Sequence, residues 1–332
     1  MKEYNFNECD CKIYGIPNFE KTNKFRRLTD DIVKIFPHLK DPDNRPVGAR
    51  LRFRTDSPVF SIRMELENVY SDRGMSFYQA NVANVFEGNY PDSKFLGIVS
   101  APNSYDDNYI YAEFSKKEGT QDITVFLPRN PTVKNIKIGV EDGFTIFAPT
   151  PYKYEKPVLF YGSSITENGH TSSSNAYTAL LSRWLDTDYL NFGFSGAARG
   201  EKEIAEYLCS FDCSVFVLDY DHNAPDAEHL RKTHEPFFKI IRSAKPDLPI
   251  IMMTRPAADT PDTDERFEIV KTTYENAVLS GDKNVYLIDG RIFFDGVDRE
   301  VCTTDLTHPN DLGHYCMAKK IYPLLENILK GQ

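Results

Sequence analysis

The chain has 332 residues, of which 41% are hydrophobic and 27% charged, a balance typical of a soluble globular protein with one large domain or two ordinary ones. Its 39 basic and 49 acidic side chains give a net charge of −10, which argues against nucleic acid as a partner, because phosphate binding needs a basic surface. The first residues, MKEYNF, lack the apolar stretch of a signal peptide and no run of about 18 apolar residues follows, so we expect a cytoplasmic chain without a membrane partner.

The first half of the chain has the pattern of antiparallel strands. Apolar and polar residues alternate at 51–54, 60–66, 123–127 and 136–140, and a period of two predicts half-buried strands. Turn residues separate these runs at 56–58, 87–89 and 118–119. Because strands without long helices are typical of a sandwich or jelly roll, we predict an antiparallel β-sandwich domain for residues 1–150, with one short helix at 28–35.

After residue 150 the pattern changes. Continuous apolar runs, typical of strands buried on both faces, are followed one after another by helical stretches. The apolar runs lie at 158–161, 189–192, 215–218, 250–253 and 285–288, and the helical stretches at 176–185, 201–208, 237–241, 266–279 and 312–329. This alternation predicts an α/β, doubly wound parallel sheet for residues 151–332.

Polar residues follow each predicted strand, and a doubly wound sheet binds its ligands at that edge. In strand order they are Ser164, Gly196, Asn223 and Arg255, with Asp305 and His308 beyond the last strand. Their convergence on one edge is a stronger signal than any single motif.

These residue types suit acyl transfer by a serine. Ser164 would expose its hydroxyl at a strand-to-helix turn, His308 would take the proton, and Asp305 would orient the imidazole. The developing oxyanion needs fixed donors, for which the N–H groups of Ser164 and Gly196 and the side-chain amide of Asn223 are the candidates.

Each segment alone has an ordinary structural explanation. A Gly-Ser-Ser turn caps many helices, an asparagine often shapes a turn, and an Asp-x-x-His pair could be a fragment of a metal site. No companion ligands are evident, and the close pair Cys9 and Cys11 has no second half, so we expect free thiols, no metal and no cofactor. Together, in this order and at strand ends, the segments favour catalysis.

The four segments resemble the four sequence blocks of the SGNH hydrolases, also called the GDSL family. The blocks correspond to 162–166, 193–196, 219–223 and 305–309, and the resemblance covers about residues 155–330. It implies that Ser164 is the nucleophile, that Gly196 and Asn223 complete the oxyanion hole, and that Asp305 and His308 are the acid and the base.

Two positions depart from the family pattern. Ser163 stands where an aspartate usually precedes the nucleophile, and Asp-Tyr-Asp-His-Asn replaces the usual Gly-x-Asn-Asp of the third block. Both departures are similar to a branch with an N-terminal β-domain, and residues 48–58, GARLRFRTDSP, resemble that domain. The resemblance implies a jelly-roll domain on a flavodoxin-like SGNH domain, as in carbohydrate esterases that deacetylate xylan or mannan fragments.

The expected substrate is therefore an acetylated oligosaccharide. The alternatives are a lipid esterase, lysophospholipase or thioesterase with a wide acyl pocket, and a carbohydrate-binding protein that has lost catalysis. Substrate-contact candidates, chosen only by their position at the sheet edge, are Arg199, Asp221, His222, Arg255 and Asp262. The sequence leaves open the sugar, the contribution of the β-domain and the oligomeric state, a homo-oligomer included.

Overall fold

The structure is a computed structural model that describes residues 1–104, 106, 108–256 and 261–332. It contains two antiparallel sheets, formed by the first half of the chain, and a parallel sheet formed by the second half. The predicted fold class, an antiparallel sandwich followed by a doubly wound α/β domain, is confirmed.

The first half folds into antiparallel strands that pair in two sheets. The strands are β1 (Lys2–Asn5), β2 (Lys12–Tyr14), β3 (Arg50–Thr55), β4 (Val59–Glu67), β5 (Ala83–Glu87), β6 (Lys94–Val99), β7 (Tyr109–Ser115), β8 (Gln121–Phe126), β9 (Thr132–Val140) and β10 (Ile146–Phe147). One sheet has the order β1-β9-β4-β7, and the other has the order β10-β3-β8-β5-β6 with β2 beside β3. Apolar side chains of both sheets, such as Phe53 and Ile62, share one buried core, so the sheets form a sandwich.

Short helices connect these strands. They are α1 (Phe19–Thr22), α2 (Asp30–Ile35), α3 (Lys40–Asp43) and α4 (Phe77–Asn81). The helix predicted at 28–35 begins two residues later, because Thr29 has an extended backbone. Leu28, Ile32 and Leu39 pack into the same apolar cluster as Phe192 of the second half, so this N-terminal segment covers one face of the parallel sheet.

The second half is a parallel sheet with helices on both faces. Its strands are β11 (Tyr154–Gly162), β12 (Thr187–Gly193), β13 (Val215–Asp219), β14 (Ile250–Met253) and β15 (Val285–Ile288). Its helices are α5 (Ser164–Glu167), α6 (Tyr177–Leu185), α7 (Lys202–Leu208), α8 (Ala227–Ala244), α9 (Thr263–Leu279) and α10 (Asp311–Lys330). Within the described ranges, no helix combines the length and the apolar character needed to cross a membrane.

The strand order β12-β11-β13-β14-β15 places a topological switch at β11, between β12 and β13. In the parallel register Gly162 lies beside both Gly193 and Asp219, so these three strands end at the same edge. Loops that leave this edge in opposite directions open a crevice, which is where such sheets bind ligands.

Candidate active site

Ser164 lies at the switch point, directly after β11. Ser163 caps α5 by accepting a hydrogen bond from the N–H of Ile165 at 3.2 Å, which makes Ser164 the first residue of the helix. The serine at position 163, where the resemblance leads one to expect an aspartate, therefore has a local role as a helix cap. This cap fixes the turn that carries Ser164. The residue is buried, 4% exposed, so the expectation of an exposed hydroxyl is wrong: Oγ is covered because it contacts His308.

Asp305, His308 and Ser164 form a continuous hydrogen-bonded chain. Nδ1 of His308 lies 2.7 Å from a carboxylate oxygen of Asp305, and Nε2 lies 2.9 Å from Oγ of Ser164. Because an ionised carboxylate can only accept, Nδ1 carries the proton and Nε2 is left to accept from the hydroxyl. This arrangement can remove a proton from a serine hydroxyl and stabilise the resulting imidazolium.

Asp305 is fixed by its own loop. Its second carboxylate oxygen accepts from the N–H of His308 at 2.7 Å and from the N–H of Thr307 at 3.1 Å. Leu306, which lies between Asp305 and Thr307, has a left-handed backbone with φ of 65° that closes this tight turn. Partial burial acts to raise the pKa of Asp305, but the N–H and imidazole of His308 outweigh it, so the pKa is lowered and the carboxylate stays ionised.

The second predicted block forms a loop beside Ser164, which we call the Gly196 loop (residues 193–197). Gly196 is exposed and has a φ of 68°, a conformation that favours glycine. In the part of the chain that the structure describes, the N–H groups of Ser164 and Gly196 donate to no protein acceptor. Free N–H groups in the loops around a serine hydroxyl can bind an oxyanion.

Asn223 is hydrogen-bonded to the Gly196 loop. Its side-chain nitrogen donates to the carbonyl of Phe194 at 2.7 Å, and its backbone N–H donates to the carbonyl of Tyr220 at 2.9 Å. An amide nitrogen carries two hydrogens, so one remains for a ligand. The predicted donors of three sequence blocks thus share one edge of the sheet.

Sequence reasoning missed His170. This residue is 6% exposed and its ring stacks on that of His308, with 4.4 Å between ring centroids. Its Nδ1 contacts the hydroxyl of Thr304, and its backbone N–H donates to the carbonyl of Pro309 at 2.9 Å. His170 therefore connects the segment after Ser164 to the loop that carries the acid and the base.

The side chains of His170, Asp305 and His308 offer ligand atoms within 4.8 Å of one another, close enough to consider a metal. However, the two imidazoles stack with 29° between their planes, so their in-plane lone pairs run side by side and do not converge on one point. Nδ1 of His308 already contacts Asp305, and Nε2 already contacts Ser164. The geometry therefore favours proton transfer, and the expectation of a metal-free site stays a prediction.

Four of the five substrate-contact candidates, Asp221, His222, Arg255 and Asp262, form a buried or partly buried polar cluster. Asp221 is 2% exposed, and one of its carboxylate oxygens accepts from the N–H of Arg255 at 3.1 Å. Arg255 also donates to Nδ1 of His222 at 3.3 Å and forms an ion pair with Asp262 at 3.1 Å. The ring of His222 lies at the edge of that of His308, 6.4 Å between centroids.

This cluster changes the protonation of its members. Burial raises the pKa of Asp221 to about 6 despite the charge of Arg255. Burial, reinforced by Arg255 and His308, lowers the pKa of His222 to about 4, so this ring is neutral at neutral pH. Because Nδ1 of His222 accepts from Arg255, Nε2 of the neutral ring carries the proton and can donate a hydrogen bond without the ring repelling the imidazolium of His308. Arg199, by contrast, is exposed, and its backbone carbonyl accepts from His229 at 2.8 Å.

Two family models match the chain. One, described as the GDSL-like lipase/acylhydrolase family, matches residues 155–326. The other, described as the N-terminus of SGNH hydrolase-type esterases, matches residues 1–146. A comparison with curated protein sequences found no match.

Several solved structures share the fold over nearly the whole chain. A GDSL-like lipase from Bacteroides ovatus is 24% identical with a TM-score of 0.86, and the alignment covers 99% of this chain and 98% of that one. A salicylyl-acyltransferase from a tetracycline biosynthetic pathway is 19% identical with a TM-score of 0.78, over 99% of this chain and 97% of that one. An acetyl xylan esterase from Butyrivibrio proteoclasticus is 14% identical with a TM-score of 0.60, over 99% and 98%. At these identities the likeness establishes the two-domain fold.

Proposed function

The chain belongs to the GDSL-like lipase/acylhydrolase family, and from this membership we propose that it is a serine esterase that removes O-acetyl groups from oligosaccharides. The observation that carries the proposal is the hydrogen-bonded chain from Asp305 through His308 to Ser164, with the free N–H groups of Ser164 and Gly196 beside it. This arrangement has every group that acyl transfer by a serine requires.

In the first half of the proposed reaction, Oγ of Ser164 attacks the acetyl carbonyl carbon while its proton passes to Nε2 of His308. The carbonyl oxygen becomes an oxyanion that accepts from the N–H groups of Ser164 and Gly196 and from the Asn223 amide. When the tetrahedral intermediate collapses, the bond to the sugar oxygen breaks and His308 returns its proton to that oxygen. The free sugar hydroxyl leaves, and an acetyl ester remains on Ser164.

In the second half, water takes the place of the sugar. His308 removes a proton from the water, which attacks the acetyl carbon, and the same donors stabilise the second oxyanion. Collapse breaks the bond to Oγ of Ser164, which recovers the proton from His308, and acetate leaves. Asp305 stays ionised throughout and stabilises each imidazolium by its hydrogen bond.

Two features support a sugar acetyl ester as the substrate. The side chains of Asp305 and His308 are 41% and 23% exposed whereas Ser164 is only 4% exposed, so the site is open on the side of the acid and the base, where a bulky leaving group can lie. The acetyl xylan esterase described above has both domains in common with this chain over nearly its whole length. A large sugar alcohol fits a site that is open on this side.

The test is acetate release from a panel of acetylated xylo- and manno-oligosaccharides. Wild type should release acetate, and Ser164→Ala should lose about 10⁴-fold or more in rate, because it lacks the attacking atom. Ser172→Ala, the same change in the same segment, is the matched control and should keep its activity. Equal rates for wild type and Ser164→Ala would overturn the mechanism, and sugar binding without turnover in wild type would support a non-catalytic carbohydrate-binding protein.

The lipid esterase and thioesterase alternatives differ in the acyl group. Activity against p-nitrophenyl esters of increasing chain length separates them, because a pocket for a long acyl chain gains binding energy with each methylene. We expect a sharp fall beyond the acetyl ester. Rising activity toward long acyl chains would favour a lipid esterase.

A second candidate function is acyl transfer to an alcohol, favoured by the likeness to the salicylyl-acyltransferase over 99% of this chain. Transfer and hydrolysis share the acyl-enzyme and differ only in what attacks it. Turnover of p-nitrophenyl acetate in the presence of an unacetylated oligosaccharide, with both acetate and acetylated sugar quantified, separates them. Acetate as the main product supports the esterase.

A further inference from the structure

Glu167 is a fully buried carboxylate, 0% exposed, at the end of the short helix that begins with Ser164. One of its oxygens accepts from Nη1 of Arg45 at 2.8 Å. The other accepts from the backbone N–H of Ser195 at 2.5 Å. This single side chain therefore links the N-terminal half of the chain, the serine helix and the Gly196 loop.

The charge of Glu167 is maintained by arginines of the N-terminal half. Burial alone would raise the pKa of Glu167, but the charges of Arg45, Arg129 and Arg27 outweigh it and lower the pKa, so the carboxylate stays ionised. A buried charge is tolerated only when it is paired and hydrogen-bonded. The sequence thus maintains an ionised acid where a neutral side chain would cost less desolvation.

Arg27 binds backbone carbonyls at the end of β12, where the Gly196 loop begins. It is 1% exposed, and its Nη1 donates to the carbonyls of Gly193 at 2.5 Å and Asn191 at 3.1 Å. Its guanidinium also lies 4.5 Å from the ring centroid of Phe194. The start of the Gly196 loop is therefore fixed by one arginine directly, and its middle by another arginine through Glu167.

We infer that Glu167, fixed by Arg45, is a positioning residue that sets the direction of the Gly196 N–H, an inference that rests on the proposed esterase function. The peptide plane that carries this N–H begins at Ser195, whose own N–H is bound to Glu167. Gly196 has no side chain to anchor it, and a Cβ built there meets no atom within 4 Å. The hydrogen bond from Ser195 to Glu167 therefore fixes the chain on one side of this peptide, and the hydrogen bond from the N–H of Ala197 to the carbonyl of Phe194 at 2.9 Å fixes it on the other side. Through Glu167 and the first of these contacts, Arg45 of the N-terminal half contributes to catalysis.

Glu167→Gln tests the role at nearly constant shape. The amide must turn its NH₂ toward either Arg45 or the Ser195 N–H, and both are donors, so one contact is lost. We expect kcat for p-nitrophenyl acetate to fall about 10- to 100-fold with KM changed less than about threefold, because a donor displaced by a fraction of an ångström weakens binding of the oxyanion. Glu275→Gln, at an exposed glutamate on α9, is the matched control and should match wild type.

Arg45 variants test the same role from the other side. Arg45→Met should show the same split between kcat and KM, and Arg45→Lys, which keeps the charge, should recover part of the loss. Phenylboronic acid, whose tetrahedral adduct with Ser164 places an oxygen among the oxyanion donors, should bind more weakly by about the same factor as kcat falls. A purely structural ion pair would lower the melting temperature and leave kcat per folded molecule and the boronate affinity unchanged.

The outcomes are distinguishable. Wild-type kcat and boronate affinity in folded Arg45→Met and Glu167→Gln would overturn the inference while Ser164→Ala stays inactive. Full hydrolysis by Ser164→Ala would instead overturn the proposed function itself. If Glu167→Gln does not fold, as judged by circular dichroism, Arg45→Met and Arg45→Lys decide the question.

Discussion

The imidazole of His170 stacks on that of His308, with 4.4 Å between ring centroids and 29° between ring planes. His170 follows Ser164 on one side of the crevice, and His308 comes from the loop after β15 on the other. Burial, followed by the charge of His308, lowers the pKa of His170, so its ring is neutral at neutral pH. A neutral flat ring can restrain the base without competing for its proton.

We therefore expect His170→Ala to lower kcat about tenfold, because His308 loses the ring that restrains it and Thr304 loses its partner. His170→Phe keeps a flat ring for the stack and should retain more activity than His170→Ala. Steady-state hydrolysis of p-nitrophenyl acetate by both variants is the measurement, with the exposed His38→Ala as control. Equal activity in all three would show that the stack plays no part in positioning.

At position 305, replacing the aspartate by asparagine should be more harmful than replacing it by alanine. The amide introduced by Asp305→Asn would present an NH₂ to Nδ1 of His308, which favours the tautomer whose Nε2 carries the proton and cannot accept from Ser164. We expect Asp305→Asn to lower kcat about 10²- to 10³-fold. Because the Asp305 side chain is 41% exposed, water can replace it in Asp305→Ala, which should keep more activity. The reverse order in measured kcat would contradict this account.

Much of the site could be predicted because its residues lie directly after buried strands. The continuous apolar runs at 158–161 and 215–218 are strands on both sides of the switch point, and the loops after them carry Ser164 and Asn223. Parallel strands end at a common edge, so sequence order alone predicts which loops meet. The fold class was predictable for the same reason: a period of two and a continuous apolar run are local signals.

His170, Glu167 and Arg45 could not be found this way. Glu167 and Ser195 are brought together by the packing of α5 on β12, where a Cβ at Gly193 would lie 2.2 Å from the N of Glu167. Arg45 lies in a segment without periodicity before β3, so nothing in its neighbours indicates a contact with the second half of the chain. Such contacts depend on tertiary structure, and a single sequence shows no pattern for them.

Acid should destabilise the fold through His314. Burial lowers the pKa of His314 to about 3, and its Nδ1 accepts from the N–H of Tyr177 at 3.1 Å, which requires that nitrogen to be unprotonated. The unfolded chain, with a histidine pKa of about 6.5, takes up the proton first as the pH falls. The stabilisation is therefore full above about pH 6.5 and is lost progressively as the pH falls toward the folded-state value.

Melting temperatures between about pH 4 and pH 7.5 test this direction. His314→Asn offers Tyr177 an oxygen acceptor that does not titrate, so its melting temperature should depend less steeply on pH than that of wild type. His38→Asn removes an exposed histidine and serves as control. Parallel curves for wild type and His314→Asn would contradict the assignment.

Gly196 and Gly281 provide a matched pair for separating backbone strain from catalysis. Both have positive φ values, 68° and 89°, and a Cβ built on either meets no atom within 4 Å. Alanine at each position should therefore cost about 1 kcal/mol in the free energy of unfolding, from left-handed strain alone. Only Gly196 lies beside Ser164, so relief of the strain there rotates the peptide whose N–H is proposed to bind the oxyanion.

We expect Gly196→Ala to lower kcat for p-nitrophenyl acetate about tenfold and Gly281→Ala to leave it unchanged, with urea unfolding confirming similar losses of stability. If the two variants lost stability equally and both kept wild-type kcat, the Gly196 N–H would not be an oxyanion donor, and Asn223 with the Ser164 N–H would have to supply that stabilisation alone.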